Sequence, residues 1–201
     1  MGKPLAALSG LVVLNFLMFG TTACEEPKLP SPFHASEVAG KFAPADFKLT
    51  DHHGKPRTLA DFRGKVVLLF FGYVHCPDVC PTTLADLAQA MQLLGDDAKR
   101  VQVLFVTVDP ERDSTELLAN FIPAFNPDFL GLSGDAKATA DVTRAFAVSY
   151  QKQPSNTGYN VDHSAGTYLI DVHGQVRLLA PYGQTAAQFA QDIRLLLALT
   201  R

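Results

Sequence analysis

Two cysteines, Cys76 and Cys80, stand four positions apart, and each is followed directly by a proline. A residue before proline is disfavoured in the α region, so we expect both cysteines to be non-helical. Pro81 then suits the first position of a helix, with Cys80 as its N-cap. A thiol at a helix N-terminus lies near the positive end of the macrodipole, which lowers its pKa. Thiolates bind metal ions and attack disulfides, so this pair could perform either chemistry.

The alternative for this pair is a structural role, as two inert buried thiols or as a disulfide in an oxidising compartment. A disulfide across three intervening residues closes a very short loop and constrains little of the unfolded chain. A chemically active pair is therefore favoured.

Charge and composition exclude two broad classes of protein. The 201 residues include 17 Lys and Arg against 20 Asp and Glu, a formal net charge of −3, which provides no basic field for nucleic acid. Hydrophobic residues make up 47% of the chain and charged residues 18%, a balance typical of a folded protein rather than a disordered one. We therefore expect a folded protein without a nucleic-acid partner.

The first 23 residues have the features of an export signal. Lys3 gives a positive start, the stretch from Leu5 to Gly20 is largely apolar, and small residues precede Cys24. This pattern is similar to a bacterial lipoprotein signal and predicts a lipidated Cys24, with an uncleaved short anchor or simple secretion as the alternatives. All three interpretations export the rest of the chain.

The remaining sequence divides into two parts. Residues 24–40 contain Pro, Ser and Glu without an apolar period, which predicts a flexible tether. Residues 41–201, about 160 in all, suit one domain with a sizeable core.

Alternating strand and helix patterns predict a three-layer α/β sandwich. The apolar run from Lys65 to Gly72 is typical of a buried central strand, and the cysteines follow it directly. Apolar residues in Pro81–Leu94 recur at three and four positions, which predicts an amphipathic helix that ends at Gly95. Further strands are expected over Phe47–Thr50, Val101–Val108, Tyr168–Val172 and Val176–Leu179, and further helices over Asp113–Phe121, Ala136–Phe146 and Thr185–Leu199.

Three motifs resemble the Sco/SenC family of thioredoxin-fold copper proteins and occur in that family's order. The motifs are Cys76-Pro77-Asp78-Val79-Cys80-Pro81, Thr107-Val108-Asp109-Pro110-Glu111-Arg112-Asp113 and Val161-Asp162-His163-Ser164. The resemblance runs from about Phe42 to the C-terminus and implies a thioredoxin-like three-layer α/β/α sandwich.

The resemblance also implies a function. The family delivers copper to the dinuclear copper centre of cytochrome c oxidase, in subunit II, and binds one ion through two cysteines and one histidine. These residues would be Cys76, Cys80 and His163. Family members are anchored to a membrane with the domain outside the cytoplasm, which implies the periplasmic side of a bacterial inner membrane. A periplasmic copper chaperone upstream would load the site.

The residue types agree with copper. Two thiolates and an imidazole form a soft ligand set, in which the thiolates suit Cu(I) and the nitrogen helps to hold Cu(II). A structural zinc site is tetrahedral and would require a fourth ligand, and the domain has no third cysteine. Without the resemblance, His163 would be interpreted as a solvated residue in the stretch from Pro154 to Gly166. Histidines at predicted hairpin turns, His52 among them, are expected to be solvated.

Other polar residues near the motifs have more than one interpretation. His75 is expected to pack or to be solvated, because it points away from the following cysteine along an extended segment. Asp78 could steer the loop, act in the outer coordination shell, dock a partner or form an ordinary Pro-Asp turn. Asp109 could dock a partner, act in the outer shell or serve a helix start. Asp113, three residues before Glu116, is interpreted as a helix cap.

We expect a domain that passes copper to a partner by stepwise ligand exchange and is not primarily an enzyme. The main alternative is a thiol-disulfide oxidoreductase acting on the cysteines of the oxidase copper site. Dithiol reductases usually have two residues between the cysteines and a cis-proline facing them, whereas this chain has three residues and His163 in the corresponding region. A redox disulfide between Cys76 and Cys80 would remove two of three copper ligands. A third alternative is a copper or redox sensor.

Overall fold

The order of strands and helices follows the alternation that the sequence predicts. The structure is a computed structural model and describes residues 31–42, 46–156 and 158–199, together with Gly2. The predicted signal segment, residues 1–23 apart from Gly2, and Cys24 lie outside the described residues. The strands are β1 (Ser36–Glu37), β2 (Leu49–Asp51), β3 (Pro56–Arg57), β4 (Val66–Gly72), β5 (Val101–Thr107), β6 (Leu130–Ser133), β7 (Tyr150–Ser155), β8 (Gly158–His163), β9 (Thr167–Ile170) and β10 (Val176–Ala180). The α-helices are α1 (Val79–Leu94), α2 (Thr115–Phe121), α3 (Ala136–Ala145) and α4 (Ala186–Leu199).

Strand β4 lies in the middle of the main sheet and leads directly into the cysteine loop. All seven of its residues are buried, as the apolar run predicts. It pairs in parallel with β5 and antiparallel with β9. Parallel neighbours need a crossover connection, and α1 lies in the connection between β4 and β5. The helix begins close to the end of β4.

Among the described residues, the main sheet has eight strands in the order β1-β10-β9-β4-β5-β6-β2-β3, with helices on both faces. Phe71 contacts Phe146, the residue that follows α3, with ring centroids 5.7 Å apart. The next residue, Gly72, faces the opposite side of the sheet, where a Cβ on it would meet the Sγ of Cys80 in α1. Helix α4 packs against α1. This arrangement has the three layers that the sequence predicts, and no helix in the described ranges is long and apolar enough to cross a membrane.

The folded unit begins earlier than the predicted boundary at residue 41. Strand β1 pairs with β10, and Ala35 and Val38 on either side of it are buried. The buried carboxylate of Asp192 accepts hydrogen bonds from the backbone N–H groups of His34 (2.8 Å) and Ala35 (2.9 Å). The described part of the expected tether, residues 31–40, is therefore held on the sheet by strand β1, two buried apolar residues and the bonds to Asp192.

Strands β7 and β8 form a hairpin in a Gly- and Asn-containing region for which the sequence predicts no strand. Within the described residues they pair only with each other, in a separate two-stranded sheet. Most of the side chains of β7 are exposed, so there is no apolar alternation that could have indicated a strand. The hairpin carries His163 at its end.

The expectation that His52 is solvated is wrong. Its side chain is buried, and Nδ1 accepts a hydrogen bond from the N–H of Gly131 at 2.9 Å. The backbone N–H of His52 donates to the carbonyl of Gly131, also at 2.9 Å. The turn between β2 and β3 therefore packs against β6 instead of projecting into solvent.

Candidate metal centre

The cysteine loop places both thiols at the start of α1. Helix α1 begins at Val79, so the expectation that Cys80 is a non-helical cap before Pro81 is wrong. Pro81 is the third residue of the helix, where its missing N–H would have had no partner within the helix, so the proline costs no hydrogen bond. The N–H of Cys80 instead points at the Sγ of Cys76, 3.4 Å away. The thiol that benefits from the helix N-terminus is thus Cys76.

His163 brings an imidazole nitrogen to the same point from the end of β8. Its Nε2 lies 3.6 Å from the Sγ of Cys80, and the three possible ligand atoms of Cys76, Cys80 and His163 all lie within 4.8 Å of one another. Nδ1 is 3.0 Å from the carbonyl oxygen of Ser164. Because a carbonyl only accepts hydrogen bonds, Nδ1 donates to Ser164, and Nε2 is the ring nitrogen that faces the thiols.

Two aromatic rings pack against the imidazole. Phe70 and Tyr73 both meet His163 edge to face, with centroid distances of 6.3 Å and 6.0 Å. Phe70 belongs to the run that the sequence predicts as a buried strand, and its ring also contacts Phe105. These contacts limit the ways in which the imidazole can turn.

The two thiols differ in protonation. The pKa of Cys76 is lowered to about 3, first by the hydrogen bond from the Cys80 thiol and then by His163 and by the backbone N–H groups of Asp78 and Cys80, which together outweigh its partial burial. The pKa of Cys80 is raised by the hydrogen bond to Cys76 and by its burial. The pair therefore holds one thiolate, Cys76, and one thiol, Cys80.

The thiolate is also the accessible member of the pair. Cys76 is partly exposed, whereas Cys80 is buried. Cys76 and His163 line an open surface cleft of about 280 Å³, together with Pro77, Asp78 and other residues of the loop and hairpin. An incoming ligand can therefore reach Cys76 and His163 before it reaches Cys80.

Asp78 and His75 flank Cys76 without entering the cluster. Asp78 precedes α1, and its exposed carboxylate accepts a hydrogen bond from the Thr82 hydroxyl at 3.3 Å. Its influence on Cys76 comes from its backbone N–H, whereas its carboxylate faces the helix. The Nδ1 of His75 lies 3.8 Å from a carboxylate oxygen of Asp113, and the imidazole is half exposed.

Asp113 is not the cap of α2, so that interpretation is wrong. Ser114 is the N-cap and accepts a hydrogen bond from the N–H of Leu117 at 3.1 Å. The carboxylate of Asp113 is buried beneath the cysteine loop, where it accepts hydrogen bonds from the Val74 N–H (3.0 Å) and the Thr107 hydroxyl (2.6 Å). Its burial raises its pKa. The spacing to Glu116 is typical of a capping box, but the carboxylate of Asp113 instead bonds to the distant Val74 N–H.

Asp109 does not offer a docking carboxylate, because its side chain is fully buried. It pairs with Arg112 and accepts a hydrogen bond from the Tyr159 hydroxyl at 2.8 Å. Neither Arg112 nor Tyr159 is singled out by the sequence as a functional residue. Arg112 lies inside the motif from Thr107 to Asp113, and that motif is a signal for it. No local pattern points to Tyr159.

The geometry fits a soft metal ion. Two sulfurs and one nitrogen converge at one point, and this donor set matches the preferences of copper in both oxidation states. Among the described residues, no fourth His, Cys, Asp or Glu joins the cluster, which leaves a tetrahedral zinc site incomplete.

Comparisons with known proteins agree with this site. Residues 36–198 match the family model SCO1/SenC. The SCO2 homologue of Bos taurus, a mitochondrial protein, is 41% identical over 153 residues, which are 74% of this chain and 58% of the relative. The chain thus spans about three fifths of the length of that relative.

Solved structures give the same result. The ScoI structure of Bradyrhizobium japonicum with copper bound is 38% identical, covers 75% of this chain and 97% of its own, and has a TM-score of 0.70. A SCO1/SenC family lipoprotein from Bacillus anthracis str. Ames is 25% identical, covers 79% of this chain and 97% of its own, and has a TM-score of 0.67. These matches confirm the predicted thioredoxin-like α/β fold. With most of its length matched by the family model and a histidine brought to its paired cysteines, the chain belongs to the SCO1/SenC family.

Proposed function

We propose that this protein is a copper chaperone for cytochrome c oxidase. It binds one copper ion through Cys76, Cys80 and His163 and passes the ion to the dinuclear copper centre in subunit II during assembly of the oxidase. The observation that carries the proposal is the convergence of the three ligand atoms within 4.8 Å. The copper bound by the Bradyrhizobium japonicum relative supports the choice of metal.

The accessibility of the ligands suits transfer by stepwise exchange. Cys76 and His163 line the cleft, so thiolate and imidazole groups of a partner displace these two first. Cys80 is buried and releases the ion last. A periplasmic copper chaperone could load the site through the same opening.

Metal analysis of variants tests the proposal. Reduced protein purified without oxygen should bind one copper per chain, and His163→Ala should bind Cu(II) poorly while the two thiolates still hold Cu(I) at lower affinity. His75→Ala is the matched control, because it removes a neighbouring imidazole that lies outside the cluster. Equal loss of Cu(II) in both variants, or no loss in either, would contradict the assignment of His163.

A second candidate function is thiol-disulfide exchange with the cysteines of the oxidase copper site. One observation favours it: an accessible thiolate at Cys76 lies beside a buried thiol at Cys80, as in pairs where one cysteine attacks and the other resolves. In this mechanism Cys76→Ser abolishes reduction of a disulfide peptide, and His163→Ala changes the rate only modestly. A reduction rate that is indifferent to Cys76 would remove this candidate.

We further propose that the protein works as a lipoprotein on the periplasmic side of the bacterial inner membrane, attached through Cys24. The small residues before Cys24 support this, as does the description of the Bacillus anthracis relative as a lipoprotein. Intact-mass analysis of membrane-extracted protein should give a diacylated chain that starts at Cys24. A chain that starts at Met1 would support the uncleaved anchor instead.

A further inference from the structure

The β7–β8 hairpin carries one of the three proposed ligands, yet no backbone ladder joins it to the main sheet within the described residues. The two cysteines are held differently, by the end of β4 and the first turn of α1. Apart from the chain connections to α3 and β9, the distance from His163 to the thiols therefore depends on side-chain contacts between the hairpin and the rest of the domain.

Arg112 makes the most extensive of these contacts. Its Nη1 donates a hydrogen bond to the carbonyl oxygen of Tyr159 at 2.8 Å, and its guanidinium carbon lies 3.7 Å from the centroid of the Tyr159 ring. Its Nε donates to Asp109, whose other oxygen accepts the Tyr159 hydroxyl at 2.8 Å. Tyr159 is thus held at its carbonyl, ring and hydroxyl by one arginine and the carboxylate that the arginine orients.

The same guanidinium also faces Tyr73, with 5.8 Å to the ring centroid. Tyr73 is buried and packs edge to face on the imidazole of His163. Arg112 therefore acts on His163 along two paths: through Tyr159, four residues earlier on the same strand, and through the ring of Tyr73.

Among the described residues, an ion pair also joins the hairpin to the rest of the domain, but it is a weaker contact than that of Arg112 with Tyr159. Lys152 of the hairpin pairs with Glu111 at 2.6 Å, but the side chains are 41% and 70% exposed. Exposed pairs contribute little because water screens them and both side chains lose rotamer freedom. The Arg112 side chain is only 25% exposed, and its partner Asp109 is fully buried. The contact of Arg112 with Tyr159 is therefore the stronger constraint on the hairpin.

We propose that Arg112 is a positioning residue of the metal site, which holds the hairpin so that the Nε2 of His163 stays within reach of Cys76 and Cys80. This inference rests on the proposed copper function. Arg112 touches no ligand atom, and its loss leaves the thiols in place. The expected defect is therefore selective: the nitrogen ligand is lost to the site while the sulfur ligands remain.

The test compares Arg112→Met with the matched control Glu111→Gln, with wild type and His163→Ala as references. Cu(II) affinity is measured by competition with a chelator, and the sulfur-to-copper charge-transfer absorption is recorded. Arg112→Met should weaken Cu(II) binding by about 10–100-fold, as loss of groups that orient metal ligands commonly does, and should lower Cu(I) affinity no more than His163→Ala does. Glu111→Gln should match wild type in both measurements.

A second readout uses the protein without metal. Amide hydrogen exchange across residues 158–163 should be faster in Arg112→Met than in Glu111→Gln, with exchange in β4 unchanged. Wild-type Cu(II) affinity in Arg112→Met would overturn the proposal for Arg112, whereas wild-type affinity in His163→Ala would overturn the proposed ligand set itself.

Arg112→Met leaves the buried carboxylate of Asp109 without its cation, which could prevent folding. The double variant Arg112→Met with Asp109→Asn removes that charge and is the substitute in this case. Tyr159→Phe, which loses only the hydroxyl bond to Asp109, should give a smaller decrease of Cu(II) affinity in the same direction. Wild-type Cu(II) binding in the folded double variant would likewise overturn the proposal.

Discussion

Cys76 and Cys80 have the same side chain, yet their surroundings give them opposite affinities for a proton. Cys76 receives the N–H of Cys80 at the start of a helix, and Cys80 lies behind it without exposure to solvent. A single negative charge shared by two sulfurs favours its location on the sulfur with more donors. The site is thus prepared to bind a soft cation with release of one further proton, from Cys80.

This difference predicts selective alkylation. At a pH between about 3 and 9.0, the lowered and the ordinary pKa of Cys76, iodoacetamide should modify Cys76 and leave Cys80 largely unmodified, because the thiolate is the nucleophile. Peptide mass spectrometry after brief labelling at several pH values measures this. A rate that rises only near pH 9, as for an ordinary thiol, would contradict the assigned thiolate.

Oxidation of the pair should switch off copper binding. A disulfide between Cys76 and Cys80 removes both sulfur ligands and leaves His163 alone, which cannot hold Cu(I). Titration of Cu(I) into oxidised and reduced protein with a competing chelator measures the effect. Equal affinity in the two samples would place the metal elsewhere.

At the scale of elements, the close approach of β4 and α1 depends on a glycine. A Cβ at Gly72 would lie 2.7 Å from the ring of Phe105 and 2.9 Å from the Sγ of Cys80. Gly72 is thus the residue that allows the first turn of the helix to bring its thiol against the end of the strand.

The variant Gly72→Ala should therefore destabilise the protein by about 1–3 kcal/mol, the usual cost of overpacking a filled core, and should also weaken Cu(I) binding. Urea unfolding and chelator competition measure the two effects. Full stability together with wild-type affinity would mean that the strand end yields without displacing Cys80.

The turn between β2 and β3 gives a pH dependence. Burial lowers the pKa of His52, helped by the neighbouring His53, and protonation of Nδ1 would break its bond from Gly131. The unfolded chain binds this proton at higher pH than the native state does. The stability is therefore present above the ordinary pKa of 6.5 and is lost as the pH falls below it.

In His52→Asn the side-chain oxygen takes the place of Nδ1, so it can still accept from Gly131 but cannot titrate. The decrease in melting temperature between pH 7.5 and pH 5 should be smaller in this variant than in wild type. Thermal unfolding at the two pH values measures it, with His53→Gln as the neighbouring control. A decrease of the same size in His52→Asn and wild type would exclude this histidine as the cause.

The limits of the sequence lie at particular elements. The apolar run of β4 and the three- and four-residue spacing of apolar residues in α1 are local patterns. Each therefore predicted its element from the sequence alone. Strand β8 has no such signal, because half of its residues are exposed and its contact with Arg112, through Tyr159, joins positions far apart in the sequence. His163 meets Cys80 across 83 positions of the chain, so its place in the site came from the family resemblance and not from any local pattern.

At the scale of the whole molecule, the proposed delivery function requires the complete ligand set in the cell. Copper transfer and thiol exchange both need Cys76, but only copper transfer needs the imidazole. In a strain that lacks the native protein, His163→Ala should therefore lower assembled cytochrome c oxidase activity nearly as much as Cys76→Ser does, and His75→Ala should restore it. Immunoblots of the membrane fraction must give equal amounts of each variant. Full rescue by His163→Ala with failure of Cys76→Ser would reject delivery through these three ligands and favour thiol exchange.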